Sequence, residues 1–122
     1  MIANRHISDY RVRKVISLLE DRPNYRVKEL ADLVNLSASR LEHIFKQETG
    51  QRLSRFIQEQ KLHRASELLR STNKQITEIS YTVGYEHATS FVRAFKEQFQ
   101  QTPQHYRGMV TNQRERQLVM NI

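Results

Sequence analysis

The stretch that decides the fold is ITEISYTVGYEHATSFVRAFKEQFQQTPQHYR, residues 76–107, because residues 27–57, VKELADLVNLSASRLEHIFKQETGQRLSRFI, repeat its pattern of apolar positions. With one extra residue in the second turn, the matched apolar positions are Val27, Leu30, Val34, Leu41, Ile44 and Phe45 in the first copy and Ile76, Ile79, Val83, Phe91, Ala94 and Phe95 in the second. A duplicated unit of this kind inside a basic chain predicts two equivalent binding elements.

The composition limits the class of protein. At 122 residues the chain has material for one domain or two very small subdomains. Cysteine is absent, which excludes disulfides and cysteine-ligated zinc or iron–sulfur sites. No stretch approaches the ~20 apolar residues of a membrane span, and the start of the chain lacks the apolar run of a signal peptide. We therefore expect a soluble cytoplasmic protein that does not bind membranes.

The charge balance points to a polyanionic partner. Twenty Lys and Arg residues against thirteen Asp and Glu residues give a net charge of +7. Such an excess favours nucleic acid first and an anionic membrane second. The basic residues are spread along the chain, so a folded surface must gather them.

The pattern predicts an all-α fold of about seven helices, because Gly and Pro are rare and no segment alternates with period two. We expect helices at about residues 8–21, 26–34, 37–49, 52–71, 75–83 and 87–99, and a short last helix opening at Thr102-Pro103. Ser37 is a good N-cap for the third helix, and Gly50 suits its left-handed C-terminus. The polar residues from Gly108 onward predict a frayed or mobile tail.

Each copy reads as a short helix, a tight turn and a second helix, which is the helix-turn-helix arrangement. In this motif the second helix enters the major groove of DNA, N-terminal end first. The side chains predicted to point outward from these second helices are Ser39, Glu42, His43 and Lys46 in the first copy and Thr89, Val92, Arg93 and Lys96 in the second. The third and sixth helices are therefore the candidate recognition helices.

The second copy carries a longer motif, formed in order by Ile76, Ile79, Gly84, Tyr85, Phe91, Arg93, Phe95, Lys96, Thr102, Pro103, Tyr106 and Arg107. Through these residues the chain resembles the AraC/XylS family of bacterial transcription regulators, over roughly residues 8–108. The resemblance implies two helix-turn-helix subdomains, at 1–50 and 72–108, joined by a linker helix at 51–71, with a tail at 109–122. It also implies that the recognition helices, about 37–49 and 87–99, enter neighbouring major grooves of double-stranded DNA. Because the outward residues differ between the two copies, we expect the DNA site to be asymmetric.

The family's base-reading positions correspond here to Ser39, Glu42 and His43 in the first copy and to Ala88, Thr89, Val92 and Arg93 in the second. Arg93 is the best candidate for specificity, because a guanidinium can donate two hydrogen bonds to guanine O6 and N7. Glu42 could accept a hydrogen bond from cytosine N4, although its charge also opposes nearby phosphates. The candidates for phosphate contacts are Ser37, Arg40, Lys46, His87, Ser90 and Lys96.

Several residues depart from the family pattern. Ser80 stands where the family usually has Ala, and His87 stands at a helix-capping position that is usually Asp or Ser. Gln100 replaces a Gly that commonly closes the second recognition helix, so this end is expected to use a different termination or to carry strain. Arg107 has two readings, a phosphate contact or a partner for the C-terminal end of a neighbouring helix, and we favour the second.

Other function classes fit less well. The chain has no nucleophile motif, phosphate-binding loop or metal-spaced cluster, so we expect no enzyme, cofactor or metal site. An RNA-binding or architectural protein would need exposed aromatic platforms or a minor-groove wedge. The resemblance implies a regulator, more often an activator, that contacts RNA polymerase. The sequence leaves two alternatives open. The chain is either a stand-alone monomeric regulator or part of a longer protein that could dimerise through an N-terminal domain.

Overall fold

The computed structural model describes residues 6–120, which form seven α-helices and no β-strand. The helices are α1 (Tyr10–Asp21), α2 (Val27–Leu33), α3 (Ala38–Thr49), α4 (Leu53–Ser71), α5 (Ile76–Thr82), α6 (Ala88–Phe99) and α7 (Pro103–Met120). The predicted all-α class is confirmed, and the first six helices lie close to their predicted bounds. Within residues 6–120, no helix has both the length and the apolar composition that a membrane span requires.

The chain divides into two compact units, Met1–Lys61 and Leu62–Ile122, with the boundary inside α4. Each unit has a hydrophobic cluster of its own. In the first unit the cluster is formed by Ile7, Val12, Val15, Leu19, Leu30, Ala31, Val34, Leu41, Ile44, Phe45, Leu53, Phe56 and Ile57. Phe45 of α3 and Phe56 of α4 meet with ring centroids 5.5 Å apart, so α4 packs against the helix that precedes it.

The segment before α1 is fixed to α3. The Glu48 carboxylate accepts hydrogen bonds from the Ser8 hydroxyl at 2.9 Å and from the Asp9 backbone N–H at 2.7 Å. Asp9 is also the N-cap of α1, where its carboxylate accepts from the Arg11 backbone N–H at 2.8 Å. A side-chain hydrogen bond from Arg11 lowers the pKa of Asp9 to about 2, aided by that backbone N–H.

The second unit has an aromatic core. Its buried residues are Leu62, Ala65, Leu69, Ile79, Val83, Phe91 and Phe95. The Phe95 ring lies 5.8 Å from Phe91, 4.4 Å from Phe99 and 5.6 Å from Tyr106, centroid to centroid. Tyr85 packs edge-on against Phe91, with ring centroids 5.5 Å apart. Aromatic pairs at these separations add to the free energy of burial.

The last helix differs from its prediction. Thr102 caps it as expected, because its hydroxyl oxygen accepts from the His105 N–H at 3.2 Å. The predicted short helix is wrong, since α7 continues to Met120. A single helical glycine, here Gly108, costs only ~1 kcal/mol relative to alanine, and the residues after it are mostly good helix formers without proline. The mobility expected of residues 109–122 stays a prediction, and residues 121 and 122 lie outside the described part.

Arg107 of α7 closes the end of α4. Its guanidinium donates to the Leu69 carbonyl at 3.2 Å and to the Thr72 carbonyl at 3.3 Å. These carbonyls belong to the C-terminal end of α4, where backbone acceptors lack helical partners and a cation is favoured. Of the two readings of Arg107, the structure supports the partner for a helix end.

Candidate nucleic-acid interface

The two helix-turn-helix units turn in the same way. A residue with left-handed backbone stands at the same place in each turn, Asn35 with φ 58° and Gly84 with φ 102°. The N–H of the next residue then donates to the carbonyl of Ala31 in the first unit and of Ser80 in the second, at 2.9 Å in both. This turn directs the chain from α2 into α3 and from α5 into α6, so both recognition helices begin from equivalent backbone geometry.

The two recognition helices also end in the same way. Gly50 has φ 76° and Gln100 has φ 64°, and each donates its N–H to the carbonyl four residues earlier, that of Lys46 or Lys96, at 2.8 Å. The expectation of a different termination at Gln100 is therefore wrong, and strain is the alternative that the backbone supports. A left-handed conformation costs a non-glycine residue about 1–2 kcal/mol. The Gln100 side-chain amide donates to the Glu97 carbonyl at 2.7 Å, which stabilises this turn locally.

The outward face of α3 presents the first set of candidates. Leu41, Ile44 and Phe45 are buried, whereas the opposite side exposes Ser39, Glu42, His43 and Lys46. These four exposed residues line a cleft of about 410 Å³ together with Arg52, Leu53 and Ser54, at the start of α4. The predicted reading residues of the first unit therefore lie together on one accessible surface, next to an additional arginine.

Two phosphate candidates lie at the start of α3. The Ser37 hydroxyl oxygen accepts from the Arg40 backbone N–H at 3.1 Å, so Ser37 is the predicted N-cap. A hydroxyl that accepts one hydrogen bond still has its own proton to donate. Both side chains are exposed, so capping and a phosphate contact are compatible at this end of the helix.

The outward face of α6 is more apolar than that of α3. Thr89, Ser90, Arg93 and Lys96 are exposed, whereas Ala88 and Val92 are half-buried. Val92, predicted to point outward, packs partly against the second hydrophobic cluster. The reason is its position next to Phe91 and three residues before Phe95, which places it at the edge of the buried face. Arg93 is therefore the longest exposed donor among the predicted reading residues of α6.

The N-terminus of α6 lacks a side-chain cap. His87 has the extended backbone of an N-cap residue, and its exposed side chain makes no capping hydrogen bond. In α3 the corresponding acceptor is supplied by Ser37. The first turns of the two recognition helices are consequently stabilised to different degrees.

Sequence reasoning missed the start of α4. Arg52 and Ser54 line the α3 cleft, and Arg55 lines a second cleft beside it with Lys46 and Arg52. The available signal was the run of basic residues Lys46, Arg52 and Arg55 across the junction of the third and fourth helices. Helical periodicity within α3 cannot identify this basic surface, because Arg52 and Arg55 lie outside α3, at the start of the next helix.

The architecture agrees with known proteins. Residues 30–109 match a protein-family model described as a helix-turn-helix domain. The chain belongs to the AraC/XylS family of transcription regulators. The xylose operon regulatory protein of Escherichia coli (strain K12) is 39% identical over 84 residues, which are 69% of this chain and 21% of that protein. This chain thus spans about a fifth of the length of that curated relative.

Two solved structures share the fold. A transcriptional regulator of Chromobacterium violaceum, described as AraC-type DNA-binding domain-containing, superimposes with a TM-score of 0.75 and 28% identity, covering 83% of this chain and 92% of that one. The structure of the xylose-binding transcription activator xylR gives a TM-score of 0.75 and 32% identity, covering 88% of this chain and 29% of that one. Both are described as transcription regulators or activators, in agreement with the prediction that this chain is not an enzyme.

The family model and the regulators that the chain resembles support DNA binding in the regulation of transcription. The exposed faces of α3 and α6 described above are the candidate DNA-contacting surfaces of this chain.

Proposed function

We propose that the chain binds double-stranded DNA sequence-specifically, with α3 and α6 inserted into neighbouring major grooves of an asymmetric site. The observation that carries this proposal is the pairing of equivalent backbone geometry with different exposed residues. Both units share the turn and the left-handed helix end, but Glu42 and His43 are exposed on α3 where Val92 and Arg93 occur on α6. Two helices that are held by the same backbone geometry but expose different side chains are suited to two half-sites of different sequence.

In the first unit, Ser39, Glu42 and His43 are the proposed base-reading residues. The Glu42 carboxylate can accept from cytosine N4, and the Ser39 hydroxyl can donate or accept at several base edges. Lys46, exposed on the same cleft, offsets part of the repulsion between Glu42 and the phosphates. The chemistry therefore favours a cytosine-containing half-site for α3.

In the second unit, Arg93 is the proposed principal reading residue, with guanine as its partner. Thr89 is exposed one turn earlier and can hydrogen-bond a base edge or contact a thymine methyl group. The half-buried Ala88 and Val92 offer only apolar contacts with a thymine methyl or a sugar. We therefore assign a guanine at the position facing Arg93 and weaker preferences around it.

The proposed phosphate contacts surround these reading residues. They are Ser37, Arg40 and Lys46 in the first unit and His87, Ser90 and Lys96 in the second, all exposed. Contacts of this kind fix the register of a protein on the duplex without reading sequence.

One chain is proposed to serve both grooves. Helix α4 has 19 residues, and at 1.5 Å per residue it is about 28 Å long, comparable with the roughly 34 Å groove repeat. A monomer would then suffice for the whole site. If the chain belongs to a longer protein with an N-terminal domain, that domain could make it a dimer.

The proposed cellular role is activation of transcription in the bacterial cytoplasm, at the nucleoid, through contact with RNA polymerase. The solved relative xylR is described as a transcription activator, which supports activation over repression.

Selection of bound fragments from a genomic DNA pool tests the proposal, followed by competition with random duplex. A specific site should bind at least about 10³-fold more tightly than random DNA. Arg93→Ala should cost about 1–3 kcal/mol on the selected site and relax the preference at one base pair. Equal loss of affinity for every sequence would contradict the assignment of Arg93 to base reading, and absence of any enriched fragment would contradict sequence-specific binding.

A further inference from the structure

We infer that the two units contribute unequally to DNA binding, and that the first supplies most of the salt-dependent contact with phosphates through Arg52 and Arg55. This inference rests on the proposed function and deepens it. Neither arginine belongs to the predicted site, and both lie at the start of α4 rather than on a recognition helix.

Arg52 adjoins the reading face of α3. It is exposed and stands immediately before the first residue of α4. It lines the cleft of about 410 Å³ that also contains Ser39, Glu42 and His43. Among residues 6–120, its side chain has no hydrogen-bond or ion-pair partner. A cation that accompanies a base-reading face in this way is positioned for the DNA backbone beside the groove.

Arg55 extends the same basic surface. With Lys46 and Arg52 it lines an adjoining cleft of about 450 Å³, so these three cations follow one another around the end of α3. The Nε of Arg55 lies 3.3 Å from the Glu59 carboxylate, and the arginine side chain is 75% exposed. An ion pair whose arginine is this exposed contributes at most about 1 kcal/mol. A phosphate can therefore compete with Glu59 for Arg55.

The second unit lacks these cations at the matching positions. With the offset that places Lys46 on Lys96 and Gly50 on Gln100, Arg52 corresponds to Thr102 and Arg55 to His105. The Thr102 hydroxyl oxygen accepts from the His105 N–H at 3.2 Å, and the hydroxyl keeps its own proton as an uncharged donor. Threonine has no charge, and histidine is not a permanent cation as arginine is. Lys46 is matched by Lys96, and each recognition helix carries one further exposed arginine, Arg40 on α3 and Arg93 on α6. On and beside its recognition helix, the first unit therefore has two more exposed Lys and Arg residues than the second, and these are Arg52 and Arg55.

The acidic residues near each face do not reverse this difference. In the first unit, Glu42 and Glu59 face the clefts that contain Arg52 and Arg55. In the second unit, Glu97 lies on the helix that carries Arg93. The first unit therefore has more exposed cations next to its recognition helix despite its carboxylates. Because each phosphate contact adds about 0.9 to the slope of log affinity against log salt, this charge is measurable.

The test uses a random-sequence duplex of about 30 base pairs, roughly three helical turns, and anisotropy titrations at about 50–200 mM KCl. The double variant Arg52→Thr/Arg55→His gives the first unit the residues of the second. The matched control, Arg64→Thr/Arg116→His, removes the same charge at exposed positions that line neither cleft. The gain variant His105→Arg adds one cation to the second unit.

The double variant should reduce the salt slope by about 2, so that between about 50 and 200 mM salt it loses roughly tenfold less affinity than the unsubstituted chain. The control should change the slope by well under 1, and His105→Arg should raise it by about 1. Circular dichroism melts should show that all variants are folded. Equal slopes for the double variant and its control would overturn the inference while the proposed function stands, provided the unsubstituted chain still prefers its selected site. If the unsubstituted chain bound no duplex, the proposed function would fail first.

Discussion

The two units satisfy the same backbone requirement with glycine in opposite places. The first unit has Asn35 in its turn and Gly50 at the end of its recognition helix, whereas the second has Gly84 in the turn and Gln100 at the helix end. All four residues have positive φ. The fold therefore requires the left-handed conformation itself, and each unit tolerates one non-glycine residue in it. Asparagine adopts this conformation more readily than glutamine, so the second unit carries more strain at its helix end.

The units also differ in how their recognition helices are held. Helix α3 has a capping serine, and among residues 6–120 its only aromatic ring contact is Phe45–Phe56, beside the aliphatic Leu41 and Ile44 of the same cluster. Helix α6 has no side-chain cap and packs within a group of aromatic rings. We infer that packing compensates in the second unit for weaker helix ends. Substitutions at the core, the helix ends and the caps test this difference, in decreasing order of effect.

The largest effect is expected in the aromatic core. Phe95 is fully buried and contacts three other rings, so Phe95→Ala should lower the free energy of unfolding by about 3–5 kcal/mol. Urea denaturation measures the change, and Gln98→Ala, at an exposed position of the same helix, is the control. If the two substitutions cost the same, aromatic packing would not be what holds α6.

The helix ends should respond in opposite directions. Gly50→Gln should cost about 1 kcal/mol, because it introduces a side chain where φ is positive. Gln100→Gly should stabilise by about 0.5–1 kcal/mol, since relief of strain outweighs both the exposed hydrogen bond to Glu97 and the greater freedom of glycine in the unfolded chain. Chemical denaturation of both variants checks the signs, and a destabilised Gln100→Gly would show that its side-chain bond dominates.

The smallest effects are expected at the caps. Ser37→Ala removes the acceptor for the Arg40 N–H and should cost about 1 kcal/mol, whereas His87→Ser should gain about 0.5 kcal/mol by supplying the missing acceptor. Thermal melts resolve both changes. Ser39→Ala, within the first turn of α3, serves as the control and should stay within about 0.5 kcal/mol. If Ser37→Ala did not change the stability, the proposed difference in capping between the N-termini of α3 and α6 would be contradicted.

Much of this fold can be predicted from local signals. Ser37, Gly50 and Thr102-Pro103 mark helix ends through interactions with their own backbone, and apolar spacing identifies the buried faces. The length of α7 could not be predicted in this way, because residues 111–118 are exposed and lack an apolar period. Helix formation there depends on the intrinsic helix propensity of the residues, and a single glycine such as Gly108 does not end it.

The candidate interface was predictable only where it lies on a single helix. Ser39, Glu42 and His43 share one face of α3 by their spacing, and the structure places them on one cleft. Val92 lies at the boundary of the buried face, where periodicity cannot separate inward from outward. Arg52 reaches the α3 cleft because α4 packs through Phe56 against Phe45, and such a tertiary contact leaves no pattern in the sequence.

The hydrogen bonds from Arg107 to the end of α4 set the C-terminal limit of a folded fragment of the second unit. Cleavage before this residue would leave the Leu69 and Thr72 carbonyls without their donor and would also remove the cation that faces the helix dipole. A boundary after it leaves both carbonyls bonded, and the family match ends close by, at residue 109. The remainder of α7 is consequently the natural place to attach a label, a tether or a fused partner, at a distance in sequence from both recognition helices.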